Sequence, residues 1–360
     1  RNCLRMRFII LDGSRDWLAE ARDAAQRAVE LRPDLGETHD ALGWYFYQGL
    51  GDYGRAVQEF AVARNLQPSN SDALFGIGSV LRRQGRWGES ADAMARALEI
   101  DPKNPTILVN FAASCVLARR YAEADKAFKA AVVLNPHFGG PYGRRAWLQV
   151  QWRGDVDRAR AILDQAARVG DLSDDQAILA DARLSVALVR RDFEGALRTL
   201  DAEPRAAYSN QLRYSPIDLL RGTVQLLAGR QEAARRSFEA ARIVLEARAA
   251  QTPGDARVHS ALAVAYAGLG RRDDAVKEAD RGCELTPDSK DAWLALERGE
   301  DRAEVFVLVG RNADAIAQLD DLLQRSGETT AQVLQLDPTW DHLRSELGFQ
   351  KLIAKYEVRE

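Results

Sequence analysis

Leu31-Arg32-Pro33, Leu66-Gln67-Pro68, Ile100-Asp101-Pro102 and Leu134-Asn135-Pro136 close four successive helical runs, at intervals of 35, 34 and 34 residues. A fixed period of this size marks stacked supersecondary units, each packing on its neighbours, in place of one globular core. Proline ends each run because it brings no amide hydrogen to the helix ladder and its ring clashes with the preceding turn.

Working outward from those prolines, residue type repeats along with spacing. In the unit ending at Pro102, Leu74, Ile77, Gly78 and Leu81 share one helical face, Gly85 breaks the chain, and Ser90, Met94 and Ala97 follow. The next unit has Leu108, Phe111, Ala112 and Cys115, then Ala124, Phe128 and Ala131; the first full unit has Leu42 and Gly43, then Ala56, Phe60 and Ala63. Small residues at Gly43/Gly78/Ala112 and Ala56/Ser90/Ala124 let two antiparallel helices approach, and the large ones fill what remains. The 35-residue interval is assigned to Gln48-Gly49-Leu50-Gly51-Asp52, one residue longer than the corresponding turn at Gln84-Gly85-Arg86, since glycine-rich turns absorb insertions at little cost.

This pattern resembles the tetratricopeptide repeat, which runs W-x2-L-G-x2-Y, A-x3-F-x2-A and P over about 34 residues. The resemblance is most specific at residues 33–136, returns at 253–287, and extends to the tail Leu336-Asp337-Pro338-Thr339-Trp340-Asp341-His342-Leu343-Arg344 followed by Phe349-Gln350-Lys351-Leu352-Ile353. That tail is similar to the ending of bacterial multidomain signalling proteins in which such an array follows a winged-helix, nucleotide-cyclase or Ser/Thr kinase domain. His342 and Leu347-Gly348 depart from it, and no such effector domain is present, so its activities do not carry over. The resemblance implies an all-α, right-handed solenoid of about eight helix pairs with a C-terminal helical cap.

The expected divisions are a truncated N-terminal segment (1–15), regular units (16–136), looser helix pairs (137–252), further units (253–330) and a cap (331–360). Helices are expected at 16–31, 141–152, 156–169, 174–190, 193–201, 216–228, 231–250, 289–309 and 312–325, with a loop at Glu203-Pro204-Arg205. The helix from 231 should overrun its normal end by about two turns, which keeps the same face toward its neighbour. Trp340, Leu343, Phe349, Leu352 and Ile353 should cover the last apolar face, as a solenoid end requires.

Net charge −3, with 46% hydrophobic and 29% charged residues, argues against a dedicated nucleic-acid binder. No apolar run approaches the length of a membrane-spanning helix. The start at Arg1-Asn2-Cys3 shows no secretory leader; Phe8-Ile9-Ile10-Leu11 is too short. These features lead us to expect the carboxyl part of a longer protein, placed in the cytoplasm, or in the periplasm if a preceding part carries an anchor. Cys3, Cys115 and Cys283 are odd in number and widely spaced, which fits neither a disulfide framework nor a zinc site.

No residue set points to catalysis, metal or cofactor. Gly49-x-Gly51-x-x-Gly54 matches the dinucleotide fingerprint in letters, but that motif works only between a strand and a helix, and here it joins two helices. His39, His137, His259 and His342 fall in separate units, and metal binding needs convergent ligands. Cys115 reads as a small core residue. Asp174-Asp175 and Asp320-Asp321 read as helix-start or surface charge.

What remains is the concave surface that the first helix of each pair lines in a tetratricopeptide array. By helical phase, Asp40, Trp44, Tyr47 and Gln48 face it from the first full unit. Phe75, Ser79, Arg82 and Arg83 follow from the second, Asn110 from the third, and Arg144, Arg145, Gln151 and Trp152 from the fourth. Aromatic and arginine side chains are favoured at binding hot spots. The expected function is a non-catalytic scaffold binding a peptide or protein partner, with self-association of linked domains as the alternative.

Overall fold

The computed structural model describes residues 15–173 and 177–357. The readings placed on Cys3, on Phe8–Leu11 and on Asp174-Asp175 lie outside the described residues. The chain forms two compact units, up to residue 130 and from 131 onward, divided within the helix Tyr121–Leu134.

In the first unit, α1 (Arg15–Leu31) precedes three pairs. These are α2 (Gly36–Trp44) with α3 (Tyr53–Leu66), α4 (Ser71–Arg83) with α5 (Trp87–Ile100), and α6 (Pro105–Leu117) with the start of α7 (Tyr121–Leu134). Start signals follow each stop signal closely. Two residues after Pro68 and Pro102, the Asn70 and Asn104 side chains accept from the first backbone amides of α4 and α6, donors that a helix cannot satisfy internally.

In three of the pairs a large residue of the second helix lies against a glycine of the first. A Cβ at Gly43 would come within 2.6 Å of the Phe60 ring, one at Gly78 within 2.8 Å of Met94, and one at Gly222 within 2.8 Å of Phe238. Met94 and Phe238 follow their glycines by 16 residues, whereas Phe60 follows Gly43 by 17. The extra residue falls at the start of the stretch where the sequence placed it, inside the helix and not in the turn that follows. A π turn over Tyr45–Leu50 takes it up inside the helix, Gly51 then turns the chain at φ +62°, and Asp52 caps α3. The wider turn changes the helical phase, so that consecutive Tyr45, Phe46 and Tyr47 are all buried.

A second recurrence ties the turns down. His39 Nδ1 lies 2.7 Å from Glu59 Oε2 and its Nε2 3.1 Å from the Pro33 carbonyl; His259 repeats this at 2.6 Å to Glu278 and 3.0 Å to Pro253. Histidine follows proline by six residues in both, and the carboxylate follows after 20 and 19. The longer step again spans the π turn.

The second unit begins with α8 (Gly139–Arg153), α9 (Val156–Val169), α10 (Ile178–Val189) and α11 (Phe193–Asp201). After a hairpin come α12 (Ile217–Leu227), α13 (Gln231–Gln251), α14 (Ala256–Gly268), α15 (Arg272–Leu285), α16 (Ala292–Leu308) and α17 (Asn312–Gln324). At 21 residues, α13 exceeds the 14 of α15 by two turns, as its pattern predicts. Glu203-Pro204-Arg205 lie in a loop as expected, and a hairpin the sequence did not reveal follows it: β1 (Ala207–Ser209) pairs antiparallel with β2 (Tyr214–Pro216), Ser209 opposite Tyr214. Three-residue strands are too short for alternation to mark them.

Trp340, Leu343, Phe349, Leu352 and Ile353 are buried, in the capping role their pattern implies. The cap consists of α18 (Ala331–Leu336), a 3-10 turn (Pro338–Leu343) and α19 (Leu347–Tyr356), and it does more than cover α17. In addition, α18 packs on α8, with Val333 in one apolar cluster with Tyr142, Ala146 and Val150. Gln151 Nε2 donates to the Glu328 carbonyl at 2.9 Å, and Arg191 grips Asp341 with two bonds of 2.6 and 2.8 Å. The end of this unit thus returns to its beginning.

Gly76 stands on the other side of Phe60, where a Cβ would meet the ring at 2.5 Å. Gly76→Val is expected to destabilise the fold by about 2–3 kcal/mol through overpacking. Adding Phe60→Leu should recover part of that loss in urea denaturation followed by circular dichroism.

Candidate functional site

The first helices of the pairs position most of the residues singled out in the sequence. In the first unit, Trp44 lies edge-on to Tyr47 (5.5 Å between centroids) and Phe60 (5.1 Å) and tilted against Phe75 (5.1 Å). Arg83 Nε donates to the Tyr47 hydroxyl at 3.0 Å, linking α4 to the π turn. Arg82 donates to Asn110 through both terminal nitrogens, 2.9 Å to Oδ1 and 3.2 Å to the carbonyl, linking α4 to α6. Asn110 in turn donates to the Thr106 carbonyl, and Ser79 donates back to Phe75. Trp44, Tyr47, Phe75, Arg82, Arg83 and Asn110 therefore form one cross-braced face. Asp40, Tyr47, Phe75, Arg82 and Arg83 are buried, whereas Trp44 and Asn110 are half-buried.

Asp40 accepts from Asn70 Nδ2 across the turn between pairs. Burial pushes its carboxyl up to about 7, and the Asn70 bond opposes this only in part. Arg144, Arg145 and Trp152 stand on α8 in the other unit. There Arg145 is buried, Arg144 and Trp152 are half-buried, and the Arg153 guanidinium covers the Trp152 ring at 4.0 Å.

A second polar constellation, which the sequence reading did not single out, lies where the hairpin meets α14 and α16. Arg213 at the hairpin tip pairs with Glu297 at 2.9 Å. Arg298, 1% exposed, donates to the Leu212 carbonyl at 2.7 Å and pairs with Asp301 at 2.9 Å. Arg257 donates to the Asn210 carbonyl and pairs with Asp255 at 2.7 Å. Glu297, followed by Glu300 and Asp301, holds the Arg213 guanidinium firmly protonated. Burial pushes Glu304 up to about 8, helped by Asp301 and Asp337, and it also raises Glu300 and Glu328. The segment Glu297-Arg298-Gly299-Glu300-Asp301-Arg302 carries no sequence signal for this role, because charge density alone does not tell a buried helix face from an exposed one.

Residues 41–105 match the family model of the tetratricopeptide repeat. Over that stretch the chain is similar to tetratricopeptide repeats. Cellulose synthase operon protein C of Xanthomonas axonopodis pv. citri is 29% identical over 96% of this chain, which covers 22% of that protein. TPR repeat-containing thioredoxin TTL4 of Arabidopsis thaliana is 29% identical over 41% of this chain, and the match again covers 22% of that protein. The chain thus spans well under a third of the curated relatives it matches. Among solved structures, Pseudomonas aeruginosa pilF aligns with a TM-score of 0.43 at 19% identity, over 56% of this chain and 91% of that one. The APC/C hetero-tetramer Cut9-Hcn1 aligns with 0.48 at 13%, over 79% and 46%.

In the first unit, the glycine motif Gly49-x-Gly51-x-x-Gly54 links the π turn to α3 with no strand before it. Cys115 is fully buried and its thiol is pushed up to about 12 by that burial, which leaves it the packing role of a small hydrophobe. Among the described residues, no group of three His, Cys, Asp or Glu side chains is arranged to hold a metal ion, and no helix is long and apolar enough to cross a membrane.

Asp40 carries a pH prediction. An unfolded aspartate titrates near ~3.9, and the folded one holds its proton up to about 7. The folded state therefore binds the extra proton, so this stabilising contribution is complete below pH ~4 and lost as pH rises through 7. Asp40→Asn should flatten that decline and make the protein on the order of 2 kcal/mol more stable than the parent at pH 8, read from denaturation midpoints across pH 4–8.

Proposed function

We propose that this chain is a non-catalytic protein–protein interaction scaffold that takes a peptide or protein segment on the first-helix face of its repeats. Tetratricopeptide proteins are in general interaction scaffolds, which supports the class. The observation that carries the reading is the cross-bracing of the π turn, α4 and α6 through Tyr47–Arg83 and Arg82–Asn110. A surface ordered before binding loses little entropy when a partner docks. Membership of a larger bacterial signalling protein is proposed from the resemblance of the tail at 336–353. The chain covers 22% of the Xanthomonas protein it matches, which supports a place within a longer protein.

Trp44 and Tyr47 pack among Phe60 and Phe75, so truncating them would disturb the core along with the surface. Arg82→Ala combined with Asn110→Ala is the cleaner variant. The expected result is that partners crosslinked to the parent are captured at least ~10-fold less by this variant at unchanged helical circular dichroism. Equal capture would overturn the assignment of binding to this face. Light scattering at tens of micromolar is expected to give one chain of 39.9 kDa; twice that mass would favour self-association.

A further inference from the structure

The hairpin tip in the second unit is held as a bound peptide would be. Asn210 shapes it locally: its Oδ1 accepts from the amides of Leu212 and Arg213 at 2.8 and 3.0 Å, and its own amide donates to the Arg213 carbonyl at 3.0 Å. The surrounding helices then engage it from outside. Arg257 of α14 and Arg298 of α16 donate to the carbonyls of Asn210 and Leu212, contacts that any sequence offers. Glu297 reads the arginine at 213 by charge, and Arg248 of α13 covers the Tyr214 ring at 4.2 Å. Tyr214 also packs against the apolar cluster built by α12, α13 and α14.

Two backbone anchors, one carboxylate and one stacked ring make a complete recognition set. Its occupant is weakly built, since two strands of three residues are marginal without support, and the Arg213 side chain remains 43% exposed. We infer that this inner face is a docking site for a partner segment that turns like the tip and presents an arginine followed by an aromatic residue, and that residues 210–214 occupy it in cis until such a segment displaces them. The inference deepens the scaffold reading and rests on it: it assigns a second face and the chemistry of its ligand. The charge of that ligand follows from Glu297, with Glu300 and Asp301 adding to the field around Arg213.

The test uses the full chain and a fluorescein-labelled peptide of residues 207–216, read by anisotropy. Arg213→Ala with Tyr214→Ala vacates the two side-chain anchors. This variant is expected to bind the peptide at least ~10-fold more tightly than the parent, whose own tip competes. Adding Glu297→Gln should weaken that binding ~10-fold or more, as should an alanine in place of the peptide's arginine. Absence of saturable binding to the folded variant, equal binding by variant and parent, or indifference to Glu297→Gln would each overturn the inference. If the double variant loses helical circular dichroism, excess peptide is added to the parent and amide exchange at 209–215 is followed. Faster exchange supports displacement, and unchanged exchange overturns it. Either failure leaves partner capture by the Arg82/Asn110 face untouched, so the two readings fail separately.

Discussion

The fit of a large side chain into the notch left by a glycine on the facing helix sets the geometry of every pair in which it occurs. Phe60 against Gly43, Met94 against Gly78 and Phe238 against Gly222 fix how closely two helices lie and where along each other they lie. Helix spacing determines where the residues on the opposite side of the first helix stand, so the candidate faces inherit their geometry from these contacts. The π turn at Tyr45–Leu50 shows how firmly the contact is held. One residue too many separates Gly43 from Phe60, and the helix widens locally while the contact is kept.

Much of this was legible in the sequence because it is local and periodic. Prolines stop helices, and small and large residues alternate at the pair interface, so the helix pairs, the overlong α13 and the apolar cap residues could all be read in order. What escaped was of two kinds. The hairpin at 207–216 has strands below the length at which alternation carries information. The return of α18 to α8 joins residues such as Gln151 and Glu328, 177 positions apart, for which periodicity has no sign.

The inner faces taught a related lesson. Trp44, Arg82, Arg83 and Asn110 stand on neighbouring first helices and Tyr47 in the π turn, but helical phase says nothing about whether such residues bond to one another. Tyr47–Arg83 and Arg82–Asn110 do. Likewise, the charges of α16 look like surface in one dimension. Folded, they surround an arginine from a distant loop, and Glu304 is left so short of cationic company that burial raises its carboxyl to about 8.

The meeting of α18 with α8 has a consequence for how the second unit comes apart. An open row of repeats has two free ends, and its stability is close to a sum of neighbour terms, so it can fray from either end one repeat at a time. A row whose cap is pinned back to α8 near its start offers no such end: the helices between leave only by breaking contacts on both their sides. Residues 131–357 should therefore melt as a single cooperative block, and damage to the Arg191–Asp341 clasp should be felt as far away as α13.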